Sequence, residues 1–589
     1  MFLNYNRCGR IISGICVLLI SQFSLAQEKS DNIGTEVVNV VKPYSPTISD
    51  AFKEKEVPVI TTEENTKKEN VKYTVLPFPV ASTFAPAKGT AQGVENAKQE
   101  RLFDNYATLG IGNYGSLNAE LYVTENLSNT EFVSGMFRHN SAQGDIKEVL
   151  LDNYYYDTKI DLLYGSNKEE LSWNIHAGYQ NQIYNWYGLP TDLGSTLAQP
   201  DYMALVNNIR PQQSYNTFTA GGDLMFEEGI FNGVKLDFTR FTDAFSSGEN
   251  RFFLAPTFKF DIMDEAIKTK IFVDYVDGSF KENYSGINTS PIEYGFTNIG
   301  IEPSFVINRE DWTINVGAGL VYSMGKLNNT NKFYVYPSVT ASYKIVGDLM
   351  IFYAGALGGV QQNTYKNFVD KNPFVSPTLD IKPTSEVYDI HAGLKGKLAS
   401  TVSYDVAASY IYDDNKALFR ANDYTANNTN ENYAFGNSFQ VIYDNISTMR
   451  LYGEIKADLA KGVTLEADAT LNSYTTKREL EAWNLPELLF NAKADFAITE
   501  KWFAGLNLFY VGERKDYQLN SDIVYVTMPD PITLDSFFDL NANVRFKYSE
   551  RFTTFLKANN ILNKGYEKWL NYPVQGFQIM VGANYKFDF

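Results

Sequence analysis

The stretch GFQIMVGANYKFDF, residues 576–589, sets its apolar residues at every second position: Phe577, Ile579, Val581, Ala583, Tyr585, Phe587 and Phe589. Between them stand Gln578, Gly582, Asn584, Lys586 and Asp588. Successive side chains of a strand point to opposite faces, so the segment has one greasy face and one mostly polar face up to its last residue. A surface that needs such a face is the question the rest of the chain answers.

The same period recurs upstream. WTINVGAGLVY places Trp312, Ile314, Val316, Ala318, Leu320 and Tyr322 on one face, with Thr313, Asn315, Gly317 and Gly319 on the other. LYGEIKADL sets Leu451, Ile455 and Leu459 against Tyr452, Glu454, Lys456 and Asp458, and after Ala460-Lys461-Gly462 the run VTLEADATLN repeats the pattern as the second arm of a hairpin. No later stretch holds the run of about 18 apolar residues that a membrane-crossing helix requires.

Composition favours strands that meet lipid. The 589 residues include 40 Tyr, 41 Phe and 6 Trp, and girdles of aromatic residues belong to outer-membrane barrels. The net charge of -18 supplies no basic footprint for phosphates, which excludes nucleic acid as a partner. Arg7, Arg10, the apolar run from IISGICVLLI to Leu25, and Ser24-Leu25-Ala26 before Gln27 read as an export signal over residues 1–26. Cys8 and Cys16 both fall inside it, so the exported chain has no thiol for a disulfide or a metal site.

Length, number and connections separate a soluble sandwich from a barrel. Strand-like runs begin near Asn105, Leu117, Glu131, Asp152, Trp312, Val463 and Gln575, among 22 in all, and many exceed the usual five or six residues. Tight joins such as ENLSN, NREDW, VGDL and LAKG fall at every second connection, alternating with longer segments such as 185–213, 364–384, 421–437 and 517–534. That asymmetry suits a barrel whose rims face different compartments. The chain is expected to be an all-β transmembrane antiparallel outer-membrane β-barrel of about 22 strands over residues 105–589, a strand number seen in plugged outer-membrane transporters.

NNILNKGYE (residues 559–567) followed by YPVQGFQIMVGANYKF resembles the C-terminal signature of TonB-dependent receptors, and EAWNLPEL (481–488) and WFAGLNLFYVGERKD (502–516) are similar to the same family's last third. One departure is Val574-Gln575-Gly576, where that family usually has Pro-Gly-Arg. The resemblance implies a cell outer-membrane location, lipid against Phe577, Ile579, Val581, Tyr585 and Phe587, and a terminal Phe589 read by the barrel assembly machinery. Family members also hold a globular plug, whereas residues 27–104 are short, rich in Lys-Glu runs and spaced by proline (KPYSP, VLPFPVASTFAPAKG), so an extended periplasmic or lumenal segment without a full plug is expected. Within it Glu36, Val37, Val38, Asn39, Val40 and Val41 resemble a TonB box, a β-prone run that lends its backbone to a partner's sheet. TonB or another periplasmic protein is the implied partner.

Nothing points to catalysis. His139, His176 and His391 form no spaced pair, and no metal-ligand spacing or phosphate-cradling glycine loop stands out, so no enzyme activity and no cofactor is expected. Tyr184, Trp186 and Tyr187 lie on a long outer connection, where they either stack on a flat ligand or anchor the barrel in an interfacial girdle, as Trp569 and Tyr572 also do. Two functions remain open: uptake of a nutrient across the outer membrane, or a plugless accessory barrel that scaffolds a multiprotein assembly.

Overall fold

A computed structural model of the chain describes residues 103–589, apart from 263–264, 285–289, 328–329, 425–430 and 520–529. The expected export signal over residues 1–26, residues 27–102 of the segment expected to be extended, and the TonB-box-like run Glu36–Val41 lie outside the described residues. From Asn105 onward the alternation becomes one antiparallel sheet of 22 strands. The sheet closes on itself: Asn105–Gly112 pairs with Gln578–Phe587, with Asn105 opposite Phe587 and Gly112 opposite Met580. Closure leaves no strand edge with unpaired backbone groups, which is what a hydrocarbon layer demands.

The expected strand positions hold closely. Strands start at Trp312 and Val463 as read, and where Asp152 and Gln575 were expected the ladders begin three residues later, at Tyr155 and Gln578. Ten connections of two to four residues line the rim that also carries both ends of the barrel chain, and eleven connections of four to 26 residues line the other rim. Short turns mark the periplasmic side and long loops the outside. Gly462 in the Ala460–Val463 turn has φ +83°, and a Cβ there would stand 2.9 Å from the Ala497 carbonyl oxygen, so this two-residue turn needs glycine.

The greasy face points outward. Ile579, Val581 and Tyr585 are exposed on the outer surface, as are Val316, Leu320, Tyr322, Leu451, Ile455 and Leu459. In the strand Trp312–Gly325 the intervening Gly319, Val321 and Ser323 are buried on the inner face. Exposed apolar side chains on a closed sheet, arranged at period two around the wall, are a lipid-facing surface. Thus the apolar residues of Phe577–Phe589 lie on the outside of the wall.

The inner face divides by height. Toward the short-turn rim it carries charged pairs that are open to water: Lys159 with Asp161 at 3.0 Å, Lys270 with Glu302 at 3.1 Å, Lys235 with Asp237 at 3.3 Å, and Lys493 with Asp495 at 2.9 Å. Toward the long-loop rim it turns aromatic, with Tyr215, Phe241, Phe280 and Tyr294 all buried. The largest apolar cluster therefore sits neither in the lipid-facing wall nor in the sheet but across the mouth of the barrel, where the loops gather.

Candidate functional site: the loop lid and its cleft

Loops that leave different parts of the wall converge on one aromatic cluster. Tyr572, from the loop 560–577, stacks on Phe374 of the loop 362–383 with ring centroids 3.8 Å apart, and lies 4.7 Å from Tyr187 of the loop 186–211. Its hydroxyl donates to the Asn437 carbonyl at 2.5 Å. Asn437 in turn donates through Nδ2 to the Trp186 carbonyl at 2.8 Å. Four loops are thereby tied at one point. Buried aromatic pairs add to the stabilisation from area alone, and a fully buried aromatic ring contributes several kcal/mol, so a lid of this density holds its shape without a bound partner.

Local sequence explains how each loop reaches the centre. Tyr365–Lys371 is a short helix whose Tyr365, Phe368 and Val369 stand at i, i+3 and i+4, and all three are buried. Thr364 caps it, its hydroxyl accepting from the Asn367 N–H at 3.0 Å. A second helix, Gln199–Asn208, buries Val206 in a smaller cluster with Leu193, Ile209 and Phe435. Two ribbons, Arg514–Asp516 with Ile532–Leu534 and Glu567–Trp569 with Tyr572–Pro573, stiffen the remaining loops. Arg514 joins them: its guanidinium donates to the Lys568 carbonyl and, at 2.6 Å, to the Glu567 carbonyl.

Burial tunes the acids of these loops. Asp516 is fully buried and accepts from Asn484 Nδ2 at 2.7 Å and from the N–H groups of Tyr517 at 2.7 Å and Ala421 at 3.0 Å. Desolvation outweighs these bonds and pushes its carboxyl up to about 6. Burial also raises Glu567 above the usual carboxylate range, and lowers Arg514.

Beside the aromatic centre a cleft of about 450 Å³ opens between the loops 143–154, 186–211 and 560–577. Tyr187 and Tyr202 supply ring surface, Lys147 one cationic head, and Glu148 and Glu567 two carboxyl groups. Glu148 and Asn571 sit at φ 63° and 64°, a left-handed backbone uncommon for a residue with a side chain and frequent at ligand sites. The Tyr187 hydroxyl is held against the Pro573 carbonyl at 2.9 Å, and burial raises its pKa, so it remains a neutral phenol. Rings, one ammonium, carboxyls and amides can stack on and hydrogen-bond a small polar solute.

Of the residues expected to contact a ligand, only Tyr187 lines this cleft. Trp186 is fully buried against Phe245 and Tyr433, at 5.5 and 5.8 Å, and in this conformation offers no surface to a solute. Tyr184 packs between Tyr155 and Phe374. Trp569 and Tyr572 belong to the lid, not to an interfacial girdle, because their loop folds inward over the mouth. The cleft residues 146–150, Asn563, Glu567 and Asn571 were not singled out as ligand contacts from the sequence, and neither was the inward course of the loop 362–383; the helical spacing of Tyr365, Phe368 and Val369 was a signal for the latter. His176 and His391 face the lumen beside Asp237 and Asp389, at 3.4 and 3.3 Å, and His139 is bonded to Thr158 at 2.7 Å on the outer face.

No family model matches the sequence, and no curated protein matches it. Solved structures do match the fold. The ferripyoverdine receptor of the outer membrane of Pseudomonas aeruginosa superposes with a TM-score of 0.59 at 13% identity, over 83% of this chain and 72% of that one. The FrpB iron transporter from Neisseria meningitidis gives 0.61 at 9%, over 83% and 82%. The siderophore receptor PirA from Acinetobacter baumannii gives 0.60 at 12%, over 83% and 81%. With its closed 22-stranded sheet, its apolar outer surface and these neighbours, the chain is an outer-membrane β-barrel with the fold that these receptors share.

Proposed function

We propose that the barrel is an uptake receptor of the outer membrane that takes a small polar solute into the cleft beside Tyr187. One observation carries this reading: a cleft of about 450 Å³, lined by rings and charged heads, opens among the outer loops of a fold shared with iron-chelate receptors. Glu36–Val41 engages TonB or a similar periplasmic partner by strand addition, and residues 27–104 link that run to the barrel. The test compares growth of wild-type, barrel-deleted and Tyr187→Ala/Tyr202→Ala cells on ferric chelates and on sugars as limiting nutrients. Slower growth of both altered strains on one nutrient is expected. Equal growth of the deletion strain on every nutrient would end the uptake reading.

A second reading is favoured by the tightness of the lid. Trp186, Tyr433 and Tyr572 are fully buried, so the described loops leave the mouth shut, as suits an accessory barrel that scaffolds an outer-membrane assembly and uses residues 27–104 as a tether. Purification in mild detergent distinguishes the two. Partner chains that co-purify with wild type and are lost on deleting residues 42–102 support the scaffold, and their absence removes it.

A further inference from the structure

We infer that the loop 362–383 is a stopper that the barrel carries in its own wall, and that without it the lumen is a water-filled pore. This holds for either reading above, because it concerns the mouth and not the cleft or the partner.

The loop leaves the thirteenth strand, Met350–Gln361, and returns to the fourteenth, Thr384–Ala399, yet its contacts lie on a different sector of the wall. The Tyr365 ring meets Tyr215 of the sixth strand, Phe241 of the seventh and Phe280 of the ninth, at 6.2, 5.0 and 4.8 Å. Strands stand about 4.8 Å apart, so the sixth is some 34 Å around the wall from the thirteenth. The loop crosses the mouth to reach it.

Polar bonds fix the far end. Glu249, buried on the eighth strand, accepts from the N–H of Tyr365 at 2.6 Å, the N–H of Lys366 at 3.3 Å and the hydroxyl of Tyr294 at 2.7 Å. Asp243 accepts from the Tyr365 hydroxyl at 2.9 Å, and the Tyr215 hydroxyl donates to the Pro373 carbonyl at 2.8 Å. On the opposite side the loop is stitched to the sixteenth strand: the Ser376 N–H donates to the Phe439 carbonyl and the Phe439 N–H to the Phe374 carbonyl, each at 2.9 Å. Bonds to two sectors of the wall, with a buried helix between them, describe a crossbar and not a surface loop.

Water access changes across it. Tyr365, Phe368, Val369, Leu379 and Ile381 are at most 1% exposed, whereas the lumenal pairs nearer the short-turn rim are 32–52% exposed. Among the described residues, the loop separates a buried mouth from solvent-exposed charged pairs. The long loops of outer-membrane barrels lie on the extracellular side, and this one turns its apolar residues inward across the mouth.

The experiment measures conductance of the full chain in planar lipid bilayers. Wild type is expected to be silent, and a variant with residues 364–380 replaced by a short Gly-Ser linker to conduct in discrete steps. Cells carrying that variant should become sensitive to antibiotics too large for ordinary porins. Heat-modifiable migration establishes that the variant barrel is folded. Should it not be recovered folded, Tyr365→Ser/Phe374→Ser decides, with intermittent steps expected. Steps of equal size in wild type, a folded loop-less barrel that stays silent, or a silent double variant in place of an unrecovered one would each overturn the inference.

Discussion

Truncating Tyr572 to Ala should open the lid and leave the wall intact. Its ring is fully buried, stacked on Phe374 at 3.8 Å, against Tyr187 at 4.7 Å and Phe439 at 5.9 Å, and its hydroxyl is bonded to Asn437. Removing a buried aromatic ring costs about 3–5 kcal/mol, and loss of the hydroxyl bond adds about 1 kcal/mol, so the closed lid should lose about 4–6 kcal/mol. At 1.4 kcal/mol per tenfold, that raises the open population by about three to four powers of ten. Tyr572→Phe keeps the ring and should lose only the last increment, about five- to tenfold. Hydrogen exchange read by mass spectrometry checks this: protection of 362–383 and 560–577 should collapse in the alanine variant and persist in the phenylalanine one. The wall should migrate as a folded barrel in both. Unchanged protection of 362–383 in Tyr572→Ala, or equal damage from the two variants, would refute the assignment of this ring as the lid's centre.

Gly188→Ala should loosen the same region, because its Cβ would lie 2.3 Å from the Tyr572 ring and 2.8 Å from the Asn571 carbonyl oxygen; exchange in 560–577 reads the effect, and a wild-type pattern counts against it. Leu320→Arg, on the lipid face, should destabilise the barrel by about 2–4 kcal/mol if it lies near the midplane. Gly319→Arg should cost about 1–3 kcal/mol by crowding Tyr336, while Gly319→Ala, whose Cβ would sit 3.4 Å from Tyr336 Cβ, should be tolerated; urea unfolding in detergent separates these. The rise of Asp516 from 3.8 to about 6 means that the closed lid holds this proton more tightly than the open one. Lid stability should therefore be greatest below about pH 4, fall by up to about 3 kcal/mol as pH rises to 6, and level off above; acrylamide quenching of buried Trp483 should rise over that window, and a flat profile would refute it. Val38→Pro removes a backbone donor from the TonB-box-like run, so energised uptake should fail while barrel assembly stays normal; normal uptake would exclude strand addition at that position.

The wall was legible because one rule writes it. Leu320 faces lipid and Gly319 the interior for the reason visible in WTINVGAGLVY, that a strand has two faces and lipid accepts only one kind of residue. The 22 ladders followed from the short and long joins, which each strand pair repeats. The lid obeys no such rule. Phe374, Tyr187 and Tyr572 are separated by hundreds of residues in the chain, and nothing local to YNWYG or WLNY distinguishes a ring that anchors in an interface from one that packs on another loop. Nothing in the sequence around Glu249 and Asp243 marks them; their bonds to Tyr365 come from a loop that arrives across the mouth. Period reports faces of one element, and tertiary meeting of loops leaves no period to read.

The strand ladders are unequal around the barrel, and the inequality has a mechanical meaning. Val402–Ala421 and Phe439–Ala460 share 18 residue pairs, whereas four successive ladders about the closure, from Phe537–Lys547 through the last and first strands to Leu117–Asn126, share only six, eight, eight and six. At the closure itself Gly110 faces Gly582, a pair with no side chains to grip across the strands. Under sideways load the cylinder should part along this sector first, as a sleeve tears at its seam. It is also where the chain's last strand must meet its first to finish the ring, so the place that yields most readily is the place where building ends.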